Sequence, residues 1–197
     1  LTVTQMLWVN LIMDTFGAMA LASLPPSERV MKDKPRDRRA SILTRPMLGE
    51  LFGVGTFFFA ISLGFYCIFN VTDVTSIPQM FSAPPKVEIG LTAYEMTLLF
   101  SIFVWTHFWY MFDARCFETG ESIFRVHMSQ GFWTIVAIIV FGQLFITEVA
   151  YEFFNVSPML HTVDWHFNPT GTLDLVIIIA ASSLVLWVRE LYLLTKK

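Results

Sequence analysis

Five stretches of mainly apolar residues alternate with polar, proline-rich or charged segments along the chain. The apolar stretches cover about residues 4–24, 48–69, 91–112, 131–153 and 171–193. Each is long enough for one helical crossing of a bilayer, which needs about 20 mainly apolar residues. Runs such as GTFFFAISLGFYCIF are apolar on every side, as is typical of helices surrounded by lipid or by a bundle. The pattern predicts an all-α fold: one domain over residues 1–197, a polytopic membrane bundle of five transmembrane helices.

The composition favours the same class. The chain has 197 residues, of which 55% are hydrophobic and 15% are charged. Soluble domains average about 45–50% apolar and about 25% charged residues. The formal net charge of -3 argues against a nucleic-acid partner. We therefore expect the lipid bilayer as a partner and no nucleic acid.

Basic residues concentrate in alternate connections between the apolar stretches. Those on one side are Arg29, Lys32, Lys34, Arg36, Arg38, Arg39 and Arg45 in segment 25–47, Arg115 and Arg125 in segment 113–130, and Arg189, Lys196 and Lys197 near the C-terminus. The two other connections, 70–90 and 154–170, share only Lys86. The positive-inside rule therefore predicts that loop 25–47 and the C-terminus are cytoplasmic and that the N-terminus is outside. A chain that starts outside and enters a span at once is expected to be the tail of a larger multi-pass protein, in a plasma membrane or a bacterial inner membrane.

One polar pair interrupts the first apolar stretch. In WVNLIMDT, the amide Asn10 and the acid Asp14 are four residues apart, so on an α-helix their side chains would stack on one face. An ionised Asp at the centre of a transmembrane helix costs about 2.5–3.5 kcal/mol on insertion scales, so it needs a partner, a cavity or an ion. Carboxylate and amide oxygens suit Ca²⁺, which takes roughly 6–8 of them. The chemistry leaves two interpretations open: part of a Ca²⁺ site that other helices complete, or a hydrogen-bonded pair that joins helices.

The run QMLWVNLIMDTFGAMALASLPPSERVMKDKPRDR resembles the sixth transmembrane helix of P-type Ca²⁺-ATPases and the cytoplasmic loop that follows it. The resemblance extends over the whole chain as helices six to ten of that family. It implies that Asn10 and Asp14 are metal ligands for Ca²⁺ as the transported ion. Met13, between the two ligands, is similar to the plasma-membrane type and implies one Ca²⁺ per cycle.

The same resemblance implies an ATP-driven pump as the full-length protein, a translocase that forms an aspartyl-phosphate. The sequence contains no DKTGT phosphorylation motif and no nucleotide pocket, so we expect no catalytic and no cofactor-binding residue in it. ATP and Mg²⁺ would bind in other domains, and this fragment alone should be inactive. The implied partners are the upstream transmembrane helices and a phosphorylation domain that touches loop 25–47, which Pro25, Pro26 and Pro35 stiffen.

The third stretch, FVWTHFWYMFDARCF, is similar to the eighth helix of the family, and His107 falls where the plasma-membrane type has Gln. An imidazole is a poor Ca²⁺ ligand, which disfavours a second ion site. Two roles for His107 are open: proton counter-transport near neutral pH, or an interhelical hydrogen bond beside Trp105 and Trp109, which we favour.

The other acids of the apolar stretches have structural interpretations. Glu50, Glu95 and Asp174 are expected in the first turns of their helices, where the helix dipole favours acids. Glu148 and Glu152 are expected to stack near the outer end of the fourth span, where they line an exit path or, as we prefer, reach the membrane interface.

Two other function classes compete with the pump. A secondary cation carrier or cation/proton exchanger would use Asp14 and His107 without ATP, and inverted repeats would favour it. The five stretches show no such repeat. A non-transporting membrane scaffold would use Asn10 and Asp14 only to join helices.

Overall fold

The structure, a computed structural model, describes residues 1–22, 41, 43–87, 89–116, 122–125 and 128–195. Most of the predicted loop 25–47 and the side chains of Met13 and Asp14 lie outside this description. The helices are α1 (Val3–Asn10), α2 (Ala18–Ala22), α3 (Arg45–Val71), α4 (Ala93–Arg115), α5 (Gln130–Glu148), α6 (Tyr151–Phe154), α7 (Pro169–Ser182) and α8 (Leu184–Thr195). A π-helical segment, Leu11–Gly17, joins α1 to α2, and a short 3₁₀-helix covers Ile77–Gln79.

The predicted all-α class is confirmed in the part of the chain that the structure describes. Its only β-type pairs are two isolated bridges, Thr72 with Pro85 and His161 with Phe167. Among the described residues, three helical stretches are long and apolar enough to cross a membrane: Arg45–Val71, Gln130–Glu148 and Pro169–Leu191. The molecule is therefore a helical membrane bundle, whereas five crossings and the orientation of the termini stay predictions.

Polar caps determine where the long helices begin. The side chains that accept a backbone N–H from the first turn of their helix are Thr2, Thr44, Thr92, Ser129 and Asn168. Such caps satisfy N–H groups that have no partner within the helix, a need that is greater where water is scarce. Because Thr44 and Asn168 cap their helices, α3 and α7 begin earlier than the apolar pattern indicated.

Helix α4 is the centre of the bundle. Its buried side chains include Leu98, Phe100 and Val104, each at most 1% exposed, and it packs against α3, α7 and α8. In contrast, only 6% of the residues in the apolar 18-residue stretch of α3 are buried. Helix α3 therefore presents most of its surface outward, as expected for a helix that faces lipid.

The N-terminal helical segment, residues 3–22, lies at another side of the bundle. It packs against α5 and α6. Ile12 and Ala20 are fully buried on its inner side, whereas Val3, Leu7 and Leu11 are exposed. One face of this segment is thus bound to the bundle and the other is open.

Candidate intramembrane cation site

The predicted ligand pair lies where the N-terminal helix changes its hydrogen-bonding pattern. Helix α1 ends at Asn10, and the backbone of Asp14 belongs to the π-helical segment that begins at Leu11. At the junction, the Leu11 N–H donates to the carbonyls of both Leu7 and Trp8. A π-helical turn is wider than an α-turn, and such turns occur frequently at functional sites. The four residues from Asn10 to Asp14 cross this junction. The backbone between them is therefore not the uninterrupted α-helix on which the predicted stacking of the two side chains depends.

In the described part of the chain, two side chains of this segment form hydrogen bonds with the rest of the bundle. Gln5 is fully buried, and its Nε2 donates to the carbonyl of Phe154 at 2.8 Å. The indole Nε1 of Trp8 donates to Oε1 of Gln143 in α5 at 3.0 Å. The Trp8 ring lies on Gly142, where an added Cβ would come within 2.7 Å of Cη2. The absence of a side chain at Gly142 is therefore what lets α1 approach α5 at this level.

Asn10 is exposed on the open face of the segment. Its amide can therefore reach groups that come from beyond this chain. Nowhere in the described ranges do three or more His, Cys, Asp or Glu side chains gather into a metal-binding group. Since Ca²⁺ takes roughly 6–8 oxygens, the prediction that Asn10 and Asp14 are ligands requires other helices to complete the coordination shell.

His107 has a different environment from the one predicted. Its Nδ1 lies 2.8 Å from the carbonyl of Phe103, one turn earlier in α4, so the described hydrogen bond is within the helix rather than between helices. The ring lies between Phe58 of α3, at 4.6 Å between centroids, and Phe103, at 4.1 Å. The imidazole therefore faces α3, while the segment that carries Asn10 packs on α5 and α6. No described hydrogen bond or ring contact joins the two.

Glu95 is in the first turn of α4, as predicted. It is also fully buried, and its carboxylate binds several groups of the loop before that helix. Its Oε2 pairs with Nζ of Lys86 and accepts from the Thr92 N–H at 2.7 Å. Its Oε1 accepts from the Val74 N–H at 3.1 Å. This acid thus ties loop 72–92 to the start of α4, a role that its position in the apolar pattern does not reveal.

The prediction that Glu50 and Asp174 are first-turn acids is wrong, because α3 and α7 begin several residues earlier. Asp174 is fully buried and accepts from the Tyr94 hydroxyl at 2.6 Å and from the Ile77 N–H at 3.0 Å. Glu50 accepts from the Tyr110 hydroxyl of α4 at 3.0 Å. Both acids bond to neighbouring elements instead of capping their own helix.

Glu148 and Glu152 do not stack as predicted, because α5 ends at Glu148 and α6 begins at Tyr151. Glu152 is exposed, which agrees with the interface interpretation. Glu148 is 7% exposed, and its two oxygens accept from the N–H groups of Met159 at 3.2 Å and Leu160 at 2.9 Å. For Glu148 the interface interpretation is therefore wrong, and the acid fixes loop 155–168 instead.

His161 completes this attachment. Its two ring nitrogens lie 2.7 Å from the carbonyl of Thr162 and 2.8 Å from that of Glu148. A neutral imidazole donates through one nitrogen only, so two carbonyl partners favour the doubly protonated ring. The Thr162 carbonyl, and then the carbonyl and carboxylate of Glu148, raise the pKa of His161 above its ordinary value. Trp165 stacks on the ring at 4.2 Å, which further suits a cation.

The family of the chain follows from comparison with known proteins. A family profile described as "Cation transporting ATPase, C-terminus" matches residues 1–195. The chain belongs to this cation-transporting ATPase family. As a member, it corresponds to the C-terminal membrane region.

Relatives within the family come from distant eukaryotes. The chain is 30% identical over 173 residues to a protein named "Putative calcium-transporting ATPase 7, plasma membrane-type" of Arabidopsis thaliana. The matched region covers 85% of this chain and 15% of the relative. It is 29% identical over 170 residues to "Plasma membrane calcium-transporting ATPase 3" of Homo sapiens, with 84% and 13% covered. It is also 29% identical over 167 residues to "Calcium-transporting ATPase PAT1" of Dictyostelium discoideum, with 84% and 14% covered. The chain thus spans about one seventh of the length of these cation-transporting ATPases.

Proposed function

We propose that the chain is the C-terminal membrane part of an ATP-driven Ca²⁺ pump of plasma-membrane type. The observation that carries the proposal is the position of Asn10, exposed at the α-to-π junction on the face that the bundle leaves open. An unpaired amide facing hydrocarbon costs free energy, so this face suits polar partners better than lipid. Relatives named as plasma-membrane calcium-transporting ATPases support Ca²⁺ as the ion.

In this function Asp14 supplies negative charge and Asn10 a neutral oxygen. The upstream helices of the pump contribute the remaining oxygens, so the ion lies between this chain and those helices. Met13, between the two ligands, supports a single Ca²⁺ per cycle. ATP hydrolysis and Mg²⁺ binding belong to domains outside this sequence, and loop 25–47 transmits phosphorylation to the helices. The other helices serve as a scaffold, with five crossings, the N-terminus outside and the C-terminus in the cytoplasm.

Replacement of Asp14 tests the proposal in the full-length protein. We expect Asp14→Asn to abolish Ca²⁺-activated phosphorylation by ATP while the protein still inserts into the membrane, because the ion loses its charged ligand. Asn10→Leu should weaken Ca²⁺ activation, since one neutral oxygen is lost. Asp164→Asn is the matched control, because Asp164 is an exposed acid outside the helices. Unchanged Ca²⁺ activation in Asp14→Asn would remove Asp14 from the site.

Ion stoichiometry tests the single-site part of the proposal. His107→Gln should leave the transport ratio at one Ca²⁺ per ATP, because the His107 ring lies between Phe58 and Phe103 rather than beside Asn10. Transport into sealed vesicles, measured together with ATP hydrolysis, gives the ratio. A ratio of two in the unmodified pump would contradict the interpretation of Met13 and His107. Activation by Mn²⁺ at lower concentration than Ca²⁺ would change the assigned ion.

A further inference from the structure

Trp8 connects the anchored face of the N-terminal segment to the point where the α-helix becomes a π-helix. Its indole ring lies on Gly142, and its Nε1 donates to Gln143. Its own carbonyl accepts from the Leu11 N–H, the first residue of the π-helical segment. The Trp8 side chain contacts α5, and the Trp8 carbonyl bonds to the first residue of the π-helical segment. One residue therefore links the junction to α5.

The amide of Gln143 has an orientation that chemistry fixes. An indole N–H can only donate, so the atom that faces Trp8 must be Oε1 and not Nε2. Gln143 is 2% exposed, and its Nε2 has no hydrogen-bond partner among the described residues. A buried donor without a partner lowers stability, and an apolar residue of similar size would avoid that loss. Packing alone does not explain a glutamine here, whereas the bond to Trp8 requires a hydrogen-bond acceptor.

The bond controls the rotation of α1 about its axis. Trp8 and Asn10 are two residues apart, which in an α-helix is about 200° of rotation. Fixing Trp8 against α5 therefore turns Asn10 to the opposite, open face. A rotation or slide of α1 against α5 would move Asn10 and the start of the π-helical segment together.

We propose that Gln143 is a positioning residue for the cation site: by holding the Trp8 indole on Gly142, it sets the direction in which Asn10 and the π-helical segment face the ion. This inference rests on the proposed function, since it assigns a purpose to the anchor only if Asn10 is a ligand. Gln143 itself does not touch the ion. Its effect is on the alignment of ligands, and so on affinity rather than on the maximal rate.

The test uses the full-length pump in membranes and measures ATP hydrolysis against free Ca²⁺ concentration, normalised to the amount of phosphorylated enzyme. Gln143→Leu removes the acceptor at similar volume, and Trp8→Phe removes the donor but keeps an aromatic ring on Gly142. Each should raise the half-saturating Ca²⁺ concentration about threefold at an unchanged maximal rate. Threefold corresponds to the roughly 0.6 kcal/mol that such bonds between membrane helices contribute on average.

The double variant and a control decide between positioning and general damage. Both changes break the same bond. The double variant, Trp8→Phe with Gln143→Leu, should therefore bind Ca²⁺ as tightly as the single variant with the lower affinity. Thr134→Val is the matched control on α5: Thr134 is exposed, its hydroxyl bonds to the carbonyl of Gln130 in the same helix, and affinity should not change.

Three results would overturn the inference: unchanged Ca²⁺ affinity in both single variants, strictly additive losses in the double variant, or a lower maximal rate at unchanged affinity. If Gln143→Leu does not reach the membrane, Trp8→Phe alone decides, because its ring is retained. Absence of Ca²⁺ activation in the unmodified pump is a different failure, which overturns the proposed function and removes the premise of this inference.

Discussion

Replacing Glu148 by alanine should release loop 155–168 from the end of α5, whereas the same change at Glu152 should do little. The two acids are four residues apart and look equivalent in the sequence. In the structure, Glu148 is 7% exposed and Glu152 is exposed. The comparison therefore separates the effect of a buried carboxylate from that of its charge alone.

The expected magnitude follows from the hydrogen bonds of Glu148. Alanine would leave the N–H groups of Met159 and Leu160 without their acceptors, at 3.2 and 2.9 Å in the native loop. Each unsatisfied buried donor costs about 1–3 kcal/mol, and Met159 is fully buried. Partial access of water to Leu160 reduces the second loss, so we expect about 2–4 kcal/mol for Glu148→Ala. Glu148→Gln keeps one acceptor oxygen and should lose about 1–2 kcal/mol.

Thermal unfolding of the detergent-solubilised full-length protein, together with limited proteolysis within loop 155–168, measures these effects. The order of stability should be unmodified protein, Glu148→Gln, then Glu148→Ala, with cleavage of the loop rising in the same order. Glu152→Ala should stay within about 0.5 kcal/mol of the unmodified protein, as surface substitutions usually do. Equal effects of the two alanine variants would refute the assignment of Glu148 as the anchor of the loop.

Two further predictions concern the same loop. Gly171→Ala should destabilise the protein by about 3 kcal/mol in thermal unfolding. A Cβ there would collide with the carbonyl of Met159, a backbone group that cannot move aside. Gly64→Ala is the control, because a Cβ at Gly64 would have nothing within 4 Å, and it should be neutral or slightly stabilising. The raised pKa of His161 predicts a stabilisation that is complete below its ordinary pKa of 6.5 and is lost as the pH rises through the higher folded value. Loop cleavage by a protease should therefore increase across that window, and His161→Gln should remove the dependence on pH.

The sequence predicted the positions of the helices well, for a physical reason. A run of about 20 apolar residues reports directly on the length of a helix that can lie in a membrane. All five predicted stretches overlap helices of the structure, and the boundaries differ where a cap such as Thr44 or Asn168 extends the helix beyond the apolar run. Caps depend on one side chain each, so hydropathy does not detect them.

The roles of the acids could not be predicted in the same way. The first-turn prediction for Glu95 and Asp174 depends only on their distance from the start of an apolar stretch, which is a local property. Their partners are distant in sequence: Val74 for Glu95, and Tyr94 with Ile77 for Asp174. Such pairs form only after the helices have packed. A single basic residue in a loop that otherwise has none, Lys86, was a usable signal for a buried ion pair.

The N-terminal segment was predicted only in part, because its backbone changes type within one apolar run. Nothing in the hydropathy of WVNLIMDT distinguishes an α-turn from the π-helical turn that begins at Leu11. The signal that a sequence offers is chemical instead: an amide and an acid in a stretch that should be apolar. That signal identifies Asn10 and Asp14 as candidates. The structure adds that the α-helix ends at Asn10 and that the backbone of Asp14 lies in the π-helical segment.

On the proposed function, the two open surfaces of the bundle have different uses. The outward surface of α3 carries apolar side chains such as Phe52, Phe59 and Leu63, which hydrocarbon solvates without loss. The open face of the N-terminal segment has exposed Leu7 and Leu11 together with an exposed amide, Asn10. The proposed function has protein cover this face in the complete pump, because lipid cannot satisfy that amide. The proposed function therefore puts the upstream helices against the N-terminal segment, opposite the contact with α5, with the ion between them.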